Sequence, residues 1–223
     1  MRRYPKNVRL LAHALQVPLL PSLVRYFLYD QLSPNARQSG AEAGLDACPE
    51  FDGNITVFPS AIATYYAPSD PSGPRGMHRE QIRSVASWRG GPPRRDCVYV
   101  SHDSANPGFR GLLVARVHLF FAFTFQYTRY ECALVSWYSS VQDTPDSDTG
   151  MWVVEPDMDG PLPGAKPTLQ VISLDSILRG AHLIGVCGDD FLPREVGPSE
   201  ALDVFRQFYV NKFADHHAFE IAF

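Results

Sequence analysis

The sequence has few cysteines and no closely spaced pair of them. Its four cysteines are Cys48, Cys97, Cys132 and Cys187, each dozens of residues from the next. This spacing excludes a locally formed zinc ribbon or a Cys-x-x-C redox motif. Isolated thiols are typical of proteins from reducing compartments, so we expect a nuclear protein, with the cytoplasm as the alternative.

Long hydrophobic runs and an excess of basic residues are also missing. The apolar runs are too short or too interrupted to span a bilayer, no secretory hydrophobic segment opens the sequence, and we expect no membrane partner. The net charge of −4 argues against a protein whose main task is to grip a phosphate backbone. Basic residues cluster only in "MRRYPKNVR" and "WRGGPPRR". In the second cluster Arg89, Arg94 and Arg95 are candidate nucleic-acid contacts, with a solvated edge as the alternative.

Catalytic and metal-binding motifs are absent as well. The sequence contains no G-x-S-x-G turn, Walker loop, dinucleotide fingerprint, H-E-x-x-H pair or EF-hand ladder. We therefore predict no catalytic residue, no metal, no cofactor and no small-molecule substrate. Spacing alone leaves open a two-metal site built from acids near strand ends, namely Glu50, Asp52, Asp103, Glu155 and Asp175.

The final stretch, "FADHHAFEIAF", raises the question of a metal site most directly. Asp215, His216 and His217 are adjacent, but neighbouring residues on a helix point about 100° apart, so both histidines cannot easily reach one ion. A local capping or hydrogen-bonding role is the alternative that we favour.

What the sequence does contain is a set of short periodic segments between turns. Nineteen prolines and sixteen glycines indicate many loops and argue against a helical bundle. Residues 5–33 predict two short helices joined at "VPLLP", the second with Ser22 as a possible N-cap. A long helix capped by Ser199 is predicted near the end, with one apolar stripe. The stripe consists of Leu202, Phe205, Tyr209 and Phe213.

The clearest pattern predicts a long β-hairpin within "GLLVARVHLFFAFTFQYTRYECALVSWY". Its first arm alternates with period two for eleven residues, which places Ala115, Val117, Leu119, Phe121, Phe123 and Phe125 on one face. Shorter strands are expected in "ITVF", "SAIATYY", Glu80–Val85, "DCVYV" and "MWVVEP". "TLQVISLDSILRGAHLIGV" predicts strand, helical turn and strand.

These elements predict a mainly β protein with flanking helices (α+β), a small, partly closed antiparallel β-barrel clasped by N- and C-terminal helices. We divide the chain into an N-terminal helical segment and loop (1–45), a barrel-like domain (46–192) and a C-terminal helical tail (193–223). Trp137, Tyr138 and Trp152, with Glu155 at a strand end, are candidate binding residues for a cation or peptide. Core packing is the alternative for each aromatic residue.

Several motifs resemble a known family. They are, in order along the chain, "SAIATYYAPSDPSG", "REQIRSVASWRGGPPRRDCVYV", "PGFRGLLVARVHLFFAFTF", "DTGMWVVEP", "SLDSILRGAHLIGV", "FLP" and "ALDVFRQFYVNKFADHHAFEIAF". In this order they resemble the carboxy-terminal region of proteins encoded by Plavaka-type, CACTA-like DNA transposons of fungi. The segment "RYPKNVRLLAHALQVPLLPSLVRYFLYDQL" is similar to what precedes that region.

A second, weaker resemblance rests on the strand succession "DCVYV", "LLVARVHLFF", "ECALVSWY", "MWVVEP" and "ISLDSILRGAHLIGV". This succession is similar to that of bromo-adjacent homology domains, small barrels that bind chromatin proteins.

The first resemblance implies a longer protein whose zinc-finger and nuclease-like parts lie upstream, so that Met1 is an internal or re-annotated start. We therefore expect a non-catalytic accessory domain that binds protein partners, either a transposase core or chromatin proteins, with DNA as a weaker partner. The alternatives are a fragment of a metal-dependent DNA transposase that keeps a DNA-processing or DNA-binding role, and a functionless transposon remnant.

Overall fold

The computed structural model describes residues 4–70, 72–162, 164–188, 196–197 and 199–223. The predicted motif "FLP" and the predicted domain boundary at residues 192 and 193 lie outside these residues. Five helices are present in the described part: α1 (Val8–Leu15), α2 (Leu20–Leu32), α3 (Gly40–Ala43), α4 (Ala201–Val204) and α5 (His216–Ile221). The twelve strands are β1 (Ile55–Phe58), β2 (Ser60–Tyr66), β3 (Met77–Val85), β4 (Arg94–Arg95), β5 (Cys97–Ser101), β6 (Leu112–Phe125), β7 (Thr128–Ser140), β8 (Trp152–Pro156), β9 (Leu169–Ser173), β10 (Ile177–Ala181), β11 (Leu183–Gly185) and β12 (Phe208–Val210).

The strands form a nine-stranded antiparallel sheet and a smaller three-stranded one. The large sheet has the order β10-β5-β6-β7-β8-β12-β11, with β1 also paired to β6 and β9 also paired to β7. The small sheet has the order β2-β3-β4. The large sheet is barrel-like and nearly closed, and helices lie near both termini, so the predicted fold class is confirmed.

The hairpin of β6 and β7 holds the large sheet together because each arm pairs with two further strands. The outer edge of β6 carries β5 along residues 112–116 and β1 along residues 120–123. The outer edge of β7 carries β9 along residues 132–136 and β8 along residues 138–140. This splitting of partners bends the sheet into its barrel-like form.

The predicted uninterrupted alternation along β6 is wrong. The register with β7 shifts between Val117 and Leu119, which leaves His118 as a β-bulge. An extra residue in a strand moves all later side chains to the opposite face. Consequently Val117 and Phe120 share one buried cluster, whereas Leu119 and Phe121 belong to another.

The N-terminal helices cover one face of this hairpin. The Asn7 side chain caps α1 by accepting hydrogen bonds from the backbone N–H groups of Arg9 and Leu10. Leu11 of α1 and Leu28 of α2 are fully buried in the cluster that contains Phe121. The predicted Ser22 cap is wrong, because α2 begins at Leu20 and has Pro21 in its first turn, where the missing N–H group has no helical partner to lose.

The C-terminal segment folds differently from its predicted helix. Helix α4 ends at Val204, and the predicted apolar stripe continues into strand β12, which pairs with both β8 and β11. Phe208 and Val210 are both fully buried. The prediction of a long helix is therefore wrong. Pairing with two sheet edges stabilises this segment more than its local helical preference does.

No helix among the described residues is long and apolar enough to cross a membrane.

Adjacent leucines in α1 provide a test of this packing. Leu11 is 0% exposed and Leu10 is 62% exposed. We expect Leu11→Ala to lower the free energy of unfolding by about 2–5 kcal/mol, because the truncated side chain leaves a cavity against the hairpin. Leu10→Ala is the matched control and should change it by less than about 0.5 kcal/mol. Urea denaturation followed by circular dichroism measures both, and equal effects would contradict the packing described.

Candidate functional site

Asp215 and His217 join the last helix to the sheet. Asp215 caps α5 by accepting a hydrogen bond from the Ala218 N–H group. Its two carboxylate oxygens accept hydrogen bonds of 2.7 and 2.6 Å from the guanidinium of Arg179, a side chain in β10 that is almost fully buried. These bonds from Arg179 hold the pKa of Asp215 below its ordinary value.

His217 completes the same cluster. Its ring stacks on Tyr65 with 4.5 Å between the centroids, and its Nδ1 lies 3.3 Å from a guanidinium nitrogen of Arg179. Burial, followed by the charge of Arg179, lowers the pKa of His217. His216 is exposed and takes no part. The arrangement gives Asp215 and His217 a structural task, since together they fix α5 against β10 and β2.

The strand-end acids do not converge. Glu50 forms an ion pair with Arg25, and Asp52 forms one with Arg9. Asp103 binds within its own turn, where it accepts hydrogen bonds from Ala105 and Asn106. Among the residues that the structure describes, no three His, Cys, Asp or Glu side chains are grouped so that they could hold a metal ion.

The four predicted binding residues lie in different surroundings. Tyr138 and Trp152 are buried in one core cluster, and the Trp152 indole stacks on Phe109. Trp137 packs against a different cluster and donates its indole N–H to Gln170. Glu155 is exposed and accepts a hydrogen bond from Gln207. The three aromatic side chains therefore do not form one open cage, and core packing accounts for their positions.

The three predicted nucleic-acid contacts, in contrast, lie close together. Arg94 and Arg95 form β4, which pairs with the end of β3 at Ser84 and Val85. Arg89 lies in the turn of that hairpin, where it has a positive φ of 52°. A two-strand ribbon with a polar turn thus presents all three arginines in one region of the surface.

Trp88 organises the guanidinium groups of this hairpin. The guanidinium carbons of Arg83, Arg94 and Arg89 lie 4.6, 5.3 and 5.4 Å from the centre of its ring. Each distance is within the range of a cation–π interaction, in which the negative face of the ring attracts the cation. The tryptophan therefore offsets part of the repulsion between three like charges.

A second group of positive charges adjoins the first. A cleft of about 410 Å³ is lined by Trp88, Arg94, Arg95 and Arg116, so the bulged strand β6 contributes to the same surface. Arg116 donates two hydrogen bonds to Asp203 of α4. We name the set Arg83, Trp88, Arg89, Arg94, Arg95 and Arg116 the arginine face.

The charges of the arginine face are incompletely balanced. Asp96 pairs with Arg94, and Asp203 pairs with Arg116. Within the described part of the chain, neither Arg89 nor Arg95 has an ion-pair partner. Desolvation and the nearby charge of Arg116 lower the pKa of Arg95, and the charge of Asp203 acts in the opposite direction.

His118, at the bulge, borders the same positive region. Its Nε2 lies 2.8 Å from the Ser136 hydroxyl oxygen. Burial, followed by the charges of Arg95 and Arg116, lowers the pKa of His118 to about 3. The imidazole is therefore neutral at physiological pH and adds no charge to the surface.

Reasoning from the sequence missed half of the arginine face. The run "SWRGGPPRR" contains Trp88 beside Arg89, and this pairing was a usable signal for a stacked aromatic residue. Arg83 is five residues earlier and Arg116 is 21 residues after Arg95. Their positions depend on strand pairing, so no local pattern identifies them.

Comparison of the chain with protein-family models, with curated proteins and with solved structures finds no match. The arginine face and its surroundings are therefore the basis for a proposal about function.

The low pKa of His118 gives a pH-dependent prediction. A histidine whose folded-state pKa is depressed binds fewer protons than it does in the unfolded chain, so its contribution to stability is present above pH 6.5 and is lost as the pH falls towards about 3. We expect the free energy of unfolding to fall more steeply between pH 6.5 and 4.5 in the wild type than in His118→Gln. The expected difference is on the order of 1–2 kcal/mol after allowance for solvent screening.

Urea unfolding at several pH values measures this slope. His13→Gln is the control, because His13 is an exposed histidine of α1. If His118→Gln keeps the wild-type slope, the histidine is not held neutral by its surroundings.

Proposed function

We propose that this chain is a non-catalytic binding domain of a transposon-derived protein, and that its arginine face binds nucleic acid through the phosphate backbone. The observation that carries the proposal is the cation–π contact of three arginines with Trp88, beside an arginine without an ion-pair partner among the described residues. The family context comes from the sequence resemblance.

The charge distribution supports this choice of ligand. The chain as a whole has a net charge of −4, yet the arginine face has five arginines and, among the described residues, only two carboxylates paired with them. A local concentration of positive charge on an acidic protein favours a polyanion at that place and disfavours the basic tails of chromatin proteins.

The position of the arginines against the ring of Trp88 also supports nucleic acid as the ligand. A guanidinium that stacks on an aromatic ring keeps its N–H groups at the edge of the stack, where they can donate to phosphate oxygens. The side chain also loses less freedom on binding because the ring already holds it in place. Arg89 has no other hydrogen-bond partner in the described structure, so its donors are available.

Such binding would be independent of sequence and sensitive to salt. Each phosphate contact contributes about −0.9 to the slope of log K against log salt concentration on duplex DNA. Nothing in the arginine face provides an ordered set of donors and acceptors for reading base edges. The domain would therefore hold nucleic acid in place for a partner that selects or processes it.

Fluorescence polarisation with a 20-base-pair duplex and with its single strand tests the proposal. We expect the double variant Arg89→Gln/Arg95→Gln to bind about tenfold or more weakly and to have a salt slope shallower by about 1.8 on the duplex, since two phosphate contacts are lost. Arg129→Gln is the control, because Arg129 is an exposed arginine in β7, near the turn that joins β6 and β7.

Two results would refute the proposal. One is the absence of binding to either probe at 50 mM salt. The other is binding that the double variant and Arg129→Gln weaken equally, since that would show a diffuse attraction with no contribution specific to the arginine face.

A second candidate function, binding of a protein partner in a transposase-type assembly, is favoured by exposed aromatic residues at the C-terminus. Phe213 and Phe219 are both about half exposed, their ring centres are 5.9 Å apart, and Lys212 lies over both rings. Exposed aromatic groups of this kind are common at protein interfaces. If the wild type captures a protein partner, the double variant Phe213→Ser/Phe219→Ser should lose it and Arg129→Gln should keep it. That result would support this function.

A further inference from the structure

A cavity lies beside the arginine face and is not needed for binding a phosphate backbone. Its volume is about 760 Å³. Its walls come from the end of α1, the corner between β1 and β2, the end of β3 and the bulge of β6. The volume is within the range of pockets that enclose small organic ligands.

Most of the cavity wall is apolar. Leu15, Val57 and Leu119 contribute aliphatic side chains, and Phe58 and Pro59 line the corner between the strands. An apolar wall of this extent favours the hydrocarbon part of a ligand, because its burial removes surface from water.

Six of the lining residues have polar side chains, namely Tyr4, Gln16, Ser84, Ser87, Arg95 and His118, and the Ser87 hydroxyl donates to the Gly91 carbonyl oxygen. The Ser84 hydroxyl donates to the Val117 carbonyl oxygen, and His118 Nε2 contacts the Ser136 hydroxyl. Arg95 is the only arginine, lysine or acidic residue among the lining residues that the structure describes. Its guanidinium has neither a hydrogen bond nor an ion pair within the described structure.

We propose that this cavity binds a small amphiphilic anion, with the apolar body of the ligand against Leu15, Val57 and Leu119 and its acid group on the guanidinium of Arg95. The shared chemistry is a carboxylate or phosphate attached to a hydrocarbon or aromatic body.

The electrostatics around Arg95 favour an anion over a neutral ligand. Arg116 has Asp203 as its ion-pair partner, whereas Arg95 lies near the charges of both Arg116 and Asp203 and has no ion-pair partner among the described residues. An anion placed at Arg95 would give its guanidinium a direct partner. His118 is uncharged, and none of the lining residues is acidic, so nothing in the described wall repels the ligand.

The inference shares Arg95 with the proposed nucleic-acid site but can be tested separately from it. Trp88 and Arg89, which belong to the arginine face, do not line the cavity, and Leu15 and Val57 do not belong to the arginine face. Variants at these unshared residues separate the two proposals.

Isothermal titration calorimetry with decanoate and decyl phosphate, and with 1-decanol as the uncharged control, tests the inference. We expect both anions to bind, 1-decanol to bind about tenfold more weakly, and Arg95→Gln to remove that difference by weakening only the anions. Ala14→Trp should weaken all three ligands, because it places a large ring in the cavity. Trp88→Ala should leave all three affinities unchanged while weakening DNA.

Circular dichroism melting confirms that each variant is folded, and Leu15→Trp replaces Ala14→Trp if the latter is not. In carbon–proton correlation spectra at pH 7, the anion should shift the ring signals of His118 and leave those of His13 in place. Equal affinity for decanoate and 1-decanol, unchanged anion affinity in Arg95→Gln, or no binding of either anion would each overturn the proposal. If only one of the two anions binds through Arg95, that result identifies the acid group.

Discussion

The pairing of β6 with β7 is the interaction on which the rest of the structure depends. The hairpin is long enough for each arm to bind two further strands, and its faces are covered by the N-terminal helices, the small sheet and the C-terminal segment. A single interruption, the bulge at His118, separates the part of β6 that pairs with β5 from the part that pairs with β1. Because bulges increase local twist, this one residue helps to close the barrel-like sheet.

The bulge also connects the fold to the candidate sites. It places His118 and Arg116 of β6 beside Arg95. Arg95 belongs to the separate hairpin of β3 and β4, earlier in the sequence. Placing like charges together is unfavourable, and proteins normally offset it with carboxylates. Here the compensation comes partly from Asp96 and Asp203 and partly from the ring of Trp88, and it leaves Arg89 and Arg95 without an ion-pair partner among the described residues. An unpaired arginine between an apolar cavity and a stacked arginine cluster is a feature that packing alone does not require.

The Arg179–Asp215 pair shows the opposite situation. A buried guanidinium is tolerated where its hydrogen bonds and charge are satisfied. Arg179 donates two hydrogen bonds to Asp215 and has Tyr65 as an aromatic neighbour. Two of the three polar residues near the end of the chain, Asp215 and His217, therefore have partners within the chain, and no ligand is needed to account for their positions. The chemistry that remains available at the surface lies in the arginine face and its cavity.

The sequence by itself determined most of the local structure. Period-two alternation identified β6 and β7, the spacing of apolar residues identified α1 and α2, and the tight basic run around Arg94 and Arg95 marked half of the arginine face. Local patterns identify these elements because the spacing of apolar residues along a strand or an amphipathic helix follows from which of its sides is buried.

Only the tertiary structure decided the bulge at His118, the strand β12 in place of a helix, and which charged groups lie beside Arg95. Each of these depends on contacts between residues far apart in the chain, as with Arg179 and Asp215, which are 36 residues apart. The closing of the sheet decides which sheet edge each strand joins and which charged groups face one another, because long-range pairing outweighs local preference.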